Sequence, residues 1–245
     1  MPLLLSPATR SRHRAHVAPR SLGVLAGLVV TLLFAGCGLV AASLLRFEFA
    51  PTTGDGYMNQ LLTIYNDGTR LLAPTLEFTA LDAARNPLPA VRVSTVYGSD
   101  RGSLVVPPGG GVDVLVFSGE GALSAEDVTV SVRTAEVVDA PVVGVEPVVT
   151  PMDDSGRALD RNSRFTAVSL RNDDSEPMSV RLVYIVWTEP EGDERQQAEQ
   201  VVPVGDLIVL PPKQNTLVPV TGAARTAVEG AAGRVPASIK AYLSH

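Results

Sequence analysis

Cysteine occurs once in this 245-residue chain, as Cys37. A lone thiol excludes an intrachain disulfide, so any folded part must hold together by core burial. Histidine occurs three times, as His13, His16 and His245. Two precede a long apolar run and the third is the last residue, which leaves the region between without a Ser–His–Asp or Cys–His arrangement. The same scarcity removes zinc and copper sites built from His or Cys ligands. Lysine occurs only as Lys213 and Lys240, neither at S-x-x-K spacing. No G-x-x-x-x-G-K-[ST] loop is present, and Gly109-Gly110-Gly111 follows two prolines as a hairpin turn rather than a phosphate cradle. Aromatics make up only 5%.

Hydrophobic residues still reach 45%, carried mostly by Val, Leu and Ala and interrupted by 21 Gly and 19 Pro. That mixture favours short strands and turns over helices. The length suits one or two domains of about 100–200 residues.

Acidic residues are missing from the first 46 positions, which hold five arginines and carry +5, whereas the remainder carries −11. An acidic surface repels nucleic acid, so none is expected as a partner. Between Arg20 and Arg46 lies an uncharged run, Ser21 to Leu45, of 25 residues. A membrane-spanning helix needs about 20. Arginines ahead of an apolar run keep that end cytoplasmic and send the rest of the chain outside. A second reading starts from Leu33-Phe34-Ala35-Gly36-Cys37, which resembles a bacterial lipoprotein lipobox and makes Cys37 a lipidation candidate. On that reading Leu22 to Phe34 is the apolar region of a signal peptide. Phe34 stands where Leu is usual, and the apolar stretch after Cys37 replaces the polar tether of such proteins. Both readings place the downstream part on the outer face of a membrane.

From Arg46 the chain reads as strands: Phe47–Phe49, Leu61–Tyr65, Leu76–Leu81, Val91–Val96, Leu104–Val106, Val112–Phe117 and Val128–Val132. The pattern then returns. Thr63-Ile64-Tyr65-Asn66-Asp67 matches Ser169-Leu170-Arg171-Asn172-Asp173, and Leu76–Leu81 matches Leu182–Trp187. Leu104-Val105-Val106-Pro107-Pro108 matches Ile208-Val209-Leu210-Pro211-Pro212, Val112–Gly119 matches Leu217–Gly222, and Val130–Arg133 matches Ala237–Lys240. Offsets of 103 to 107 residues describe one domain-sized unit used twice. The organisation expected is a cytoplasmic basic segment over 1–20, a membrane helix or lipoprotein signal over 21–45, and β-sandwich domains over 46–140 and 141–245.

An Asn-Asp turn, the strand Leu76–Leu81, a hydrophobic-Pro-Pro-Gly turn and a closing strand together resemble the bacterial immunoglobulin-like domains grouped as FxLYD or adhesion-type repeat modules. The second copy departs from the pattern with Pro211-Pro212-Lys213 and with Thr188 in place of Asp82. The resemblance implies an all-β chain of two tandem immunoglobulin-like sandwiches, used as spacer or binding modules, with no catalytic residues.

Asp153, Asp154 and Asp160 crowd one loop, and calcium takes six to eight oxygens. Their spacing does not match D-x-[DN]-x-[DN]-G-x₅-E, so a solvated loop is expected, with a weak calcium site as the alternative. Glu189–Glu194 reads as a charged hairpin tip. The second copy also replaces Glu77, Thr79 and Leu81 by Val183, Ile185 and Trp187, making that strand apolar on both faces. An interdomain contact, or a cover from its own loops, accounts for this. The sharper alternative is that the three residues form a partner interface anchored on Trp187.

These features describe a non-enzymatic, membrane-anchored accessory or interaction protein of a bacterial cell envelope, binding another envelope or membrane protein and needing no cofactor. A structural subunit of a larger membrane complex is one alternative, since Gly23, Gly27 and Ala35-Gly36 permit close helix packing. A carboxylate-dependent hydrolase is the other, and it requires two acids in one cleft.

Overall fold

The computed structural model describes residues 41–51, 59–189 and 196–245. The basic segment 1–20, the run from Ser21 to Val40 including Cys37, and the acidic tip at 190–194 lie outside the described residues. Among the described residues no helix is long and apolar enough to cross a membrane. The run expected as a membrane helix or signal extends to Leu45, and the described structure takes up its last residues from position 41. Strand β1 (Leu45–Ala50) begins at its end, and Ala41 and Leu45 are buried in the protein core. Apolar character alone does not separate a membrane residue from a core residue.

The regular structure of the described chain is mostly antiparallel β, with one α-helix. In the first repeat, β2 (Leu61–Asn66) lies between β1 and β5 (Gly111–Ser118), with β4 (Arg92–Thr95) outside β5; β3 (Leu71–Leu81) pairs with β6 (Asp127–Val138) in a second sheet. In the second repeat, β8 (Ala167–Arg171) lies between β7 (Val148–Met152) and β12 (Asn215–Pro219). Its second sheet is built on β9 (Met178–Trp187), flanked by β13 (Ala237–Leu243) on one side and by β10 (Ala198–Pro203) and β11 (Ile208–Leu210) on the other. Strands therefore recur in the same order. One connection differs. β4 joins the first sheet of its repeat, whereas β10 joins the second. The β3 edge that β4 leaves open is taken by the next loop, where Leu88 N–H donates to Ala80 C=O at 2.8 Å.

Alternation sets the cores. Along β2, Leu62 and Ile64 point inward while their neighbours are half-buried, the period-two pattern of a strand with one wet face. Two apolar clusters result, one per repeat, yet Gly38–His245 form a single compact unit. The division expected near Ala140–Pro141 is thus a linker between repeats and not a break between independent bodies.

One element was not expected from the sequence. Helix α1 (Gly222–Ala231) follows β12 and packs on β9 and β10. Ala224, Ala227, Val228 and Ala231 are buried at helical spacing, and Arg225 pairs with Glu229 one turn on at 2.8 Å. The first repeat has only a single turn there, Ala122–Ser124.

Candidate functional site

The junction between the repeats is built from β9. Val180, Leu182, Tyr184 and Val186 point into the second core. Val183, Ile185 and Trp187, on the opposite face, are 4%, 0% and 2% exposed and belong to the first core. The expected partner interface at these three residues is therefore corrected: the face is covered by the chain's own first repeat. Burying such side chains contributes about 1.5–3 kcal/mol each, which explains why a strand apolar on both faces is tolerated. The Trp187 indole N–H, which would be costly to bury unpaired, donates to the Ser238 hydroxyl on β13 at 2.8 Å.

A second set of contacts closes the same junction. The Tyr97 and Tyr242 rings pack with centroids 4.9 Å apart. Tyr97 is held by Asp113, a fully buried carboxylate in β5. Its oxygens accept the backbone N–H groups of Tyr97 at 2.7 Å, Ser99 at 2.9 Å and Val114 at 2.8 Å. Burial pushes the Asp113 carboxyl above its ordinary range, and these hydrogen bonds pull it partly back. Asp113 thus fixes the loop that carries Tyr97 to the junction. An acid between Val112 and Val114 in mid-strand was the available sequence signal for it.

The segment Leu104–Val106 joins the repeats through backbone bonds. Leu72 and Val106 exchange two hydrogen bonds, at 3.0 and 2.7 Å, which ties the segment to β3. Its other edge meets the end of β13: Val105 N–H donates to Leu243 C=O at 3.0 Å, and Leu104 bridges to Ser244. The Ser244 hydroxyl donates to Ser103 C=O at 2.9 Å, and a His245 ring nitrogen lies 3.0 Å from Gly102 C=O.

Two clefts flank this seam. One, of about 310 Å³, is walled by Leu71, Val138, Pro141, Val143, Val209 and Leu243. The other, of about 200 Å³, lies against Pro107, Val112, Val145 and Tyr242. Each has one carboxylate on its wall, Asp139 in the first and Glu146 in the second. Neither holds the pair that carboxylate-based hydrolysis needs.

The acidic loop is organised by its own hydrogen bonds. Asp153 accepts from the Ser155 hydroxyl at 2.6 Å and N–H at 2.9 Å, and from Arg157 N–H at 2.9 Å and Nε at 3.1 Å. The Ser155 hydroxyl above all, with the Arg157 backbone N–H, holds its carboxyl down at about 2. Asp160 accepts from Asn162 N–H at 2.8 Å. Among the described residues no three His, Cys, Asp or Glu side chains come together as a metal-ligating group. Comparison with protein-family models, with curated proteins and with solved structures finds no match to this chain.

Proposed function

We propose that this chain is a membrane-tethered, extracytoplasmic interaction protein of a bacterial cell envelope, non-enzymatic, with two tandem immunoglobulin-like sandwiches presented as one rigid unit. The observation that carries the reading is the junction. A protein that uses a whole strand face, a tyrosine pair and a backbone seam to lock two repeats together presents a fixed surface, as a spacer or docking module requires. The tether rests on sequence: five arginines and no acid through Arg46, an apolar run between, and a net −11 beyond it. The sandwich reading is supported by the recurring strand order, in which β1–β2–β5 (with β4 added) and β7–β8–β12 form one sheet of each repeat and the pairs β3–β6 and β9–β13 belong to another.

The test is the intact mass of the protein extracted from membranes, together with protease digestion of sealed cells. A chain beginning at acylated Cys37, or a full chain cleaved only from outside, supports the reading. An uncleaved, water-soluble chain recovered with cytoplasmic markers sinks it.

A further inference from the structure

The backbone seam described above has an unused twin. Ile208-Val209-Leu210 stands in the second repeat where Leu104-Val105-Val106 stands in the first. Ser244 N–H donates to Ser179 C=O, so the Ser179 backbone groups face β13 and those of Met178 and Val180 face β11. The pairs Ile208–Val180 and Leu210–Met178 are then the hydrogen-bonded ones, and the N–H and C=O of Val209 turn outward. In the first repeat the equivalent N–H of Val105 donates to Leu243 C=O, and Val105 is 4% exposed; Val209 is 63% exposed.

We infer that the Val209 edge is a strand-addition site for an extended, uncharged peptide segment of a partner protein. The segment's chemistry is that of Leu243-Ser244, which fills the equivalent edge within this chain: an aliphatic residue followed by a small one. Free edges are often blunted by shortness and flanking proline. Shortness does not disable this one, since Leu104–Val106, equally short and also followed by two prolines, pairs with β13. The cleft supplies a second, independent argument. Residues directly opposite in a β pair point to the same face, so the residue facing Val209 directs its side chain where Val209 points, into the 310 Å³ cleft walled by Leu71, Val138 and Val143. Backbone pairing supplies the hold and the apolar cleft the selection, as in other strand-addition complexes.

This proposal deepens the reading of the chain as an interaction protein and rests on it. Binding is read without reference to membrane side, so failure of one is distinguishable from failure of the other. The probe is a labelled peptide of residues 241–244, N-acetylated and C-amidated so that it carries no charge, titrated by fluorescence anisotropy into the full detergent-extracted chain, with amide exchange followed at 207–210. Binding with slowed exchange of the Val209 N–H is expected. Val209→Pro should weaken it roughly ten-fold, the loss of about one hydrogen bond. Because that N–H turns away from β9 and meets no partner among the described residues, the variant's melting temperature should stay close to wild type. Val209→Ala, which keeps the N–H, should retain most of the binding. The inference is overturned if the peptide does not bind, if it protects Val105 instead, or if a folded Val209→Pro chain binds as tightly as wild type.

Discussion

Asn66 and Asn172 do the same work in the two repeats. Each is buried, and each donates through Nδ2 to two carbonyls: Arg70 at 2.8 Å and Val106 at 3.0 Å, or Glu176 at 2.9 Å and Leu210 at 3.2 Å. Each also accepts a backbone N–H, from Gly68 at 3.0 Å or Asp174 at 2.8 Å. One side chain therefore ties its own turn to the strand segment at Val106 or Leu210. The Asn-Asp turn was legible in the sequence because such side chains bond their own backbone. The long-range half was not, since nothing local marks which of two polar turn residues points inward. Asn172→Ala takes this partner from the carbonyls of Glu176 and Leu210 and from the Asp174 N–H, so a loss of about 1–3 kcal/mol is expected in urea denaturation. Asp153 gives a pH signature instead. Its folded carboxyl titrates at about 2 against an ordinary 3.8, so its stabilising effect is present above the ordinary value and is lost as pH falls toward the lower one. The gap in melting temperature between wild type and Asp153→Asn should narrow between about pH 5 and about pH 2. A gap constant across that range contradicts the assignment.

Strand β9 shows how far an element can be read before its surroundings are known. Its strand character, its inward face and its second apolar face were all legible, because period-two patterning and composition are local. What covers the second face is a tertiary fact, and an apolar face reads alike whether a partner or the same chain lies on it. Helix α1 was missed for a different reason. Gly222-Ala223-Ala224 follows a strand and lacks large apolar residues, so it reads as a turn, although Ala224, Ala227, Val228 and Ala231 fall at helical spacing. Small residues suffice there because the helix lies directly on β9 and β10. For β9 the expected outcome is specific. Trp187→Ala removes a fully packed indole and its hydrogen bond to the Ser238 hydroxyl, which should destabilise the protein by about 3–5 kcal/mol. Chemical denaturation measures this directly, and a change below about 1 kcal/mol, the range typical of surface sites, would mean the indole is not buried at the junction.

At the scale of the whole molecule the duplication was readable from offsets of 103 to 107 residues, and the strand order of the two repeats agrees with it. The junction was not readable, because Tyr97, Asp113 and Tyr242 are far apart in sequence and meet only through the fold. That junction has a thermodynamic consequence. Val183, Ile185 and Trp187 belong to the second repeat by chain and to the first by packing, so neither repeat keeps its full core when the other unfolds. Two beads on a flexible linker unfold in two steps; repeats sharing buried side chains should unfold in one. Because Trp187 is the only tryptophan, its fluorescence reports the seam, while far-UV circular dichroism reports all strands together. The two probes should give coincident urea transitions with one midpoint. If Trp187 became exposed at a lower urea concentration than the loss of β signal, the seam would be a weak contact between two separately stable domains, and the rigid presentation proposed for this protein would fall with it.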